Sequence, residues 1–264
     1  MSIVENYAAG TPSWVELAAA DRPTAIKFYE SLFGWDCRIG PDELMNYTGV
    51  FKDDEVVAGM GLKPDDMDMP SVWTTYFASD DVDETTKKIV SAGGQILFPA
   101  MTIDDPATHE RIGSMAIAVD PVGAIFGVWQ AGTTTGARRV NEPGTLTWND
   151  CLSREAERSR EFYATVCGWT NDQIGDGGKF DYTTGSVNGK VVGGIMQMGA
   201  ELPDEIPSNW MTYFAVDNAV ETADKAVSLG ANLIMEPADT QRGRLAVIQD
   251  PQGAVFAIIE PSDQ

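Results

Sequence analysis

Hydrophobic and polar positions alternate along WVELAA at 14–19, a period that predicts a half-buried strand. The period then changes. Ile26, Tyr29 and Phe33 recur at helical spacing in RPTAIKFYESLFG, with Asp21 placed to cap the helix and Gly34 placed to stop it. Strands are expected near 45–51 and 55–62. A further strand, WTTYFAS at 73–79, leads into a second helix, VDETTKKIVSAG, which ends at Gly93. Strands near 95–99, 111–118 and 124–130 complete the series.

The same order then returns. GTPSWVEL at 10–17 answers to GTLTWNDC at 144–151, and KFYESLFGW at 27–35 to EFYATVCGW at 161–169. MNYTG at 45–49 answers to FDYTTG, WTTYFASDDV to WMTYFAVDNA, and DPVGAIFGVW to DPQGAVFAII. The offset is 134 at Trp14/Trp148, 137 at Tyr76/Tyr213 and 130 at Asp120/Asp250, so small insertions separate matched elements. Two homologous halves follow, 10–131 and 144–262. The small, polar stretch GTTTGARRVNEP at 132–143 reads as a linker between them. Strands interleaved with a few helices give an α+β class, with helices on one face of a curved, mostly antiparallel sheet.

Composition narrows the partners. The chain has 264 residues and a formal charge of −22. That charge argues against nucleic acid, whose binding rests on Lys and Arg at phosphates, and against anionic membrane surfaces. No apolar run approaches the ~20 residues of a membrane-spanning helix. The N-terminus MSIVENYAAG lacks the basic flank and apolar core of a signal peptide. The three cysteines, Cys37, Cys151 and Cys167, are scattered without CxxC spacing, which fits reduced thiols and a cytoplasmic location.

The repeated order, with its signposts FYESLFGW and FYATVCGW, YFASDDV and YFAVDNA, DPVGAIF and DPQGAVF, resembles the vicinal oxygen chelate superfamily. That superfamily includes glyoxalase I, extradiol dioxygenases and bleomycin-binding proteins. The tandem arrangement is most similar to glyoxalase-like proteins of actinobacteria. The resemblance implies two tandem glyoxalase-like domains, each from paired βαβββ modules whose sheets enclose a cavity. It also implies where a metal would be held: a first-strand His, a second His on a later strand, and a Glu seven residues after the Asp of DPxG. Here those positions hold Trp14, Thr74 and Gly127 in the first half and Trp148, Met211 and Ala257 in the second. The chain's single histidine, His109, lies in the loop DDPATHER without a counterpart in the other half. No metal and no cofactor is therefore expected, and neither glyoxalase I nor extradiol dioxygenase activity.

Strand parity suggests what the cavities contain instead. If Trp14 faces inward, so do Glu16 and Ala18, while Val15 and Leu17 face the helices. Thr74 and Tyr76 join the first cavity, as do Ile125 and Trp129. Trp148, Asp150 and Leu152 line the second, with Met211, Tyr213, Val255 and Ile259. Each cavity is then apolar and aromatic with a single acid on its first strand. Such a site suits a hydrophobic or aromatic small molecule. A half-buried carboxyl with a raised pKa also suits proton transfer, with Glu16 or Asp150 as candidate catalytic residues. Three readings stay open: a metal-independent binding protein; a metal-free lyase, isomerase, cyclase or hydroxylase-type enzyme; and a structural protein whose tryptophans plug both cavities. Trp73 and Trp210 have the opposite parity and are expected in the core, and the DPxG motifs are expected as hairpin turns.

Overall fold

The computed structural model describes residues 3–63, 70–176, 180–200 and 202–262. The first half runs β1 (Pro12–Ala19), α1 (Arg22–Phe33), β2 (Asp36–Ile39), β3 (Thr48–Lys52) and β4 (Glu55–Leu62), then β5 (Val72–Ala78), α2 (Val82–Ser91), β6 (Gln95–Asp104), β7 (Arg111–Val119) and β8 (Ile125–Ala131). The second half repeats it as β9 (Leu146–Ser153), α3 (Ala156–Cys167), β10 (Thr170–Gln173), β11 (Tyr182–Val187) and β12 (Lys190–Gln197), then β13 (Asn209–Ala215), α4 (Ala219–Ser228), β14 (Asn232–Thr240), β15 (Gly243–Gln249) and β16 (Val255–Pro261). Each half is one eight-stranded sheet made of two βαβββ modules, in the order β2-β3-β4-β1-β5-β8-β7-β6 and its equivalent. The first strands of the two modules, β1 and β5, pair antiparallel at the centre, while β1/β4 and β5/β8 are parallel.

The helix ends follow the local sequence. Gly34 ends α1 in the left-handed conformation at φ 70°, and Asp81 caps α2 by accepting the Glu84 amide. Asp21 occupies the cap position of α1 but takes the Thr24 hydroxyl rather than a backbone amide. Two boundaries differ from the sequence pattern. The short strand β2 has no counterpart in the sequence pattern, because DCRI is mostly exposed and carries little periodicity. β6 runs to Asp104 rather than ending at Pro99. It lies at the sheet edge, where a proline costs no ladder bond, and its pairing with β7 shifts register on both sides of Phe98.

The two sheets put their helix-bearing faces together, and the main cores form there. One core joins Val15, Leu17, Tyr29, Phe33, Trp35 and Trp73 of the first half to Phe214, Ile248, Phe256 and Ile258 of the second. The other joins Phe77, Ile89 and Phe126 to Phe162, Tyr163, Trp169, Ile195 and Trp210. Each core thus unites the first module of one half with the second module of the other. The polar groups inside it are matched in the same crossed manner. Trp73 donates to the Tyr29 hydroxyl at 2.9 Å, which donates to Asp250 at 3.0 Å. Trp210 donates to Tyr163 at 2.7 Å, which donates to Asp120 at 3.1 Å. Asp120 and Asp250 are the DPxG aspartates. Each also takes two amides of its own turn, so the motif is both a hairpin turn and a tie between halves. No helix among the described residues is long and apolar enough to cross a membrane.

Candidate functional site

Parity places the candidate residues on the sheet faces turned away from the helices. Val15 and Leu17 are in the inter-half core, so Trp14, Glu16 and Ala18 take the opposite face. Register sets Trp14 beside Tyr76, Glu16 beside Thr74, and Tyr76 beside Gly127. In the second half Trp148 lies beside Tyr213, Asp150 beside Met211, and Tyr213 beside Ala257.

Each acid is the centre of a network made from the same three kinds of group, two tyrosines and an indole. In the first half Tyr47 donates its hydroxyl to Glu16 Oε2 at 2.7 Å, Tyr76 donates to Oε1 at 3.3 Å, and the Trp14 indole donates to the Tyr47 oxygen at 3.3 Å. In the second half Tyr182 donates to Asp150 Oδ1 at 2.9 Å and Tyr213 also bonds that carboxyl. The Trp148 indole reaches Asp150 Oδ1 at 2.8 Å and the Tyr182 oxygen at 3.2 Å. The shorter aspartate lets the second indole touch the carboxylate directly, where the first works through a tyrosine.

Tyr47 and Tyr182 are the members that strand parity does not supply. Tyr47 immediately precedes β3 and Tyr182 opens β11, and each reaches over the neighbouring strand to the acid. The intervening strand carries a glycine at each crossing, Gly59 opposite Glu16 and Gly194 opposite Asp150. A Cβ on Gly59 would lie 1.8 Å from the Tyr47 hydroxyl, and one on Gly194 would lie 2.3 Å from that of Tyr182. The glycines are therefore required by the close approach. The readable signal was the recurrence of a tyrosine at an offset of 135 in matched segments. Gly59→Val should cost about 1–3 kcal/mol by overpacking. Gly61→Ala, whose Cβ would sit at an ordinary 3.7 Å from Glu16, should change stability by under about 0.5 kcal/mol. Urea unfolding of the two variants checks the pair.

Burial raises the carboxyl of Glu16, and the hydroxyls of Tyr47 and Tyr76 pull it part of the way back. Burial raises Asp150 as well, against the bonds from Trp148, Tyr213 and Tyr182. The tyrosines are pushed up by burial and then by the adjacent acid, so they remain protonated donors. Such a carboxyl can accept a hydrogen bond from a ligand hydroxyl and, when protonated, donate one to a ligand carbonyl.

The donors present do not suit a divalent metal. Among the described residues no group of three or more His, Cys, Asp or Glu side chains converges. An indole stands at the first-strand position of each half. At Gly127 the Tyr76 ring lies where a side chain would have to go, 2.1 Å from an added Cβ. His109 sits exposed in the β6–β7 turn.

The remaining candidates separate by half. Trp14, Tyr76 and Trp129 are buried together with Ala137 from the segment after β8, and Trp129 donates to the Thr134 carbonyl at 2.9 Å. Trp148 and Tyr213 are only half-buried, Met211 is buried and Thr74 is half-buried. Two grooves of about 270 and 240 Å³ adjoin Ser79 and Asp80 and lie away from both acids.

Residues 11–128 match the family described as the glyoxalase/bleomycin resistance protein/dioxygenase superfamily, and residues 146–259 match the glyoxalase-like domain. Among sequence relatives, CFP32 of Mycobacterium tuberculosis, a glyoxylase by provisional name, is 40% identical over 264 residues, covering 98% of both chains. The anthracycline biosynthesis protein DnrV of Streptomyces peucetius is 32% identical over 269 residues, covering 97% of this chain and 94% of its own. Among solved structures, the Mn(II)-bound glyoxalase of Novosphingobium aromaticivorans superposes with a TM-score of 0.66 at 17% identity, over 96% of this chain and 82% of the other. The 2,3-dioxygenase LapB of Pseudomonas sp. KL28 gives 0.63 at 14% identity, over 98% and 93%. These structural likenesses carry the fold.

Proposed function

The chain belongs to the glyoxalase/bleomycin resistance protein/dioxygenase superfamily, and on that footing we propose that it binds a flat, hydroxylated or carbonyl-bearing aromatic molecule on the sheet faces turned away from its helices without a metal. The observation that carries this reading is the duplicated set of one acid, two phenols and one indole, the indole standing in each half where the family resemblance puts the first-strand metal ligand. Indole and phenol faces offer stacking surface, and the carboxyl offers a polar anchor. Relatives named for anthracycline biosynthesis fit a polycyclic ligand of this kind. A metal-free proton-transfer enzyme using Glu16 or Asp150 is the second reading, favoured by the raised carboxyls beside protonated phenols.

Tryptophan fluorescence titration with 1,8-dihydroxyanthraquinone tests the binding reading. In buffer containing EDTA the expected result is saturable quenching with micromolar affinity, about −8 kcal/mol. Quenching that appears only after a transition metal is added would sink the metal-free reading.

A further inference from the structure

The internal repeat builds the same corner of the fold twice, once at the end of α1 and once at the end of α3, and the two copies differ. Beside α1, Trp35 donates its indole to Gly144 O at 2.7 Å, and the Gly144 amide donates to Ala215 O at 2.7 Å. Beside α3, Trp169 donates to Gly10 O at 2.8 Å, and the Gly10 amide donates to Ala78 O at 2.8 Å. The backbones are matched bond for bond, but the side chains are not. The last carbonyls of a helix have no intrahelical donor and favour a cation. Neither helix carries a basic residue in its own last turn, so the cation has to come from elsewhere. At α1 it comes twice. Lys225 of α4 donates to Leu32 O at 3.3 Å, and Lys52 donates to Phe33 O at 3.4 Å. Val216 is buried in the core of the same corner.

At α3 all three fillers are changed. Val187 holds the hairpin position of Lys52, and Ser79 holds that of Val216. Lys88 stands on α2 where Lys225 stands on α4, but it makes no hydrogen bond or ion pair among the described residues. Val166, the counterpart of Leu32, therefore has no lysine on its carbonyl. The corner is an open groove of about 270 Å³, with Phe77, Phe126, Val128 and Val166 as its apolar lining and Asp80, Asp81, Glu84 and Lys88 as its charges. Glu84 pairs with Lys87 at 2.6 Å, and Asp81 caps α2 by accepting the Glu84 amide at 2.9 Å. Asp80 is exposed and makes no ion pair among the described residues. At the matched positions around α1, two acids, Asp217 and Glu221, are set against two lysines, Lys225 and Lys52. Around α3, three acids are set against Lys88 and the outlying Lys87. The groove thus has the apolar wall, the helix-end carbonyl and the spare carboxylate that a lysine side chain satisfies in the other copy.

We propose that this groove binds a small alkylamine, its primary ammonium at the α3 end and Asp80 and its aliphatic chain on Phe77, Phe126 and Val128. The site lies away from both acid-centred networks, so the inference stands or falls separately from the binding reading above. Titration of the full-length, nitrogen-15-labelled chain with n-hexylammonium, followed by NMR amide shifts, tests it. Saturable shifts are expected at Ser79, Asp80, Thr85, Val166 and Gly168, with a dissociation constant on the order of 1 mM. Neutral 1-hexanol, with the same chain length, should bind at least about tenfold more weakly. Asp80→Asn should weaken the amine by roughly 3- to 10-fold. Thr165→Lys, at an exposed groove position, brings an ammonium of the chain's own to the helix end and should abolish binding. Asp80 and Thr165 are both exposed, so neither variant threatens folding. The inference is overturned if hexanol binds as tightly as the amine, or if either variant leaves amine binding unchanged. Shifts centred away from the groove, or no saturation by about 20 mM, overturn it as well.

Discussion

Neither half is expected to fold as a monomer on its own. Residues 1–131 and 144–264, produced separately, should be unfolded or self-associated, and should regain a cooperative transition only when combined. The reason lies in the crossed cores. Taking away the second half uncovers Tyr29, Phe33, Trp35 and Trp73, and also Phe77 and Phe126. Exposing four such side chains costs roughly 6–12 kcal/mol. That matches the whole net stability of a typical protein, about 5–15 kcal/mol. It would also leave Tyr29 and Asp120 without their partners Asp250 and Tyr163. Size-exclusion chromatography with circular dichroism of each fragment is the check. A monomeric half with a sharp melting transition would show that the cores are separable.

The second large effect is an opposition between stability and binding at Asp150. Its folded pKa is raised above the ordinary 3.8 by burial, so the native state holds this proton more tightly than the unfolded chain. Stability therefore falls as pH rises from the ordinary carboxyl range through the raised folded value, and the full cost of the buried charge is present above it. Glu16, Asp120 and Asp250 act in the same direction. The lowered Asp105 and Asp239 act in the opposite one, but they lie at the surface where such terms are small. Asp150→Asn keeps an acceptor for Trp148 and Tyr182 and removes the charge. It should raise stability at neutral pH by about 1 kcal/mol and flatten the acid side of the pH profile. The same substitution should weaken the aromatic ligand about tenfold or more, because the anchoring acid is gone. Thermal melts from pH 4 to 8, run beside a binding titration, read both. A variant less stable at every pH, with binding intact, would make Asp150 a structural residue.

What the chain determined by itself is the part written in short periods. Alternation along 14–19 and 73–79 set which residues leave the helix face. The duplicated signposts set two βαβββ pairs in tandem and gave each half one inward acid. The same reasoning placed Trp73 and Trp210 in the core, where each donates to a buried tyrosine. What only the tertiary structure decided involves partners distant in sequence. Tyr47 and Tyr182 reach their acids because glycines on β4 and β12 let them cross an intervening strand, and that depends on register rather than on any local pattern. The crossing of the cores, with Tyr29 bonded 221 residues away to Asp250, is likewise invisible to periodicity. A periodic pattern says that a face will be buried but not against what. The difference between the halves arises in the same way: a stretch with the composition of a linker becomes a cover over Trp14 and Trp129, because its backbone amides find open carbonyls on Ser13 and Val56.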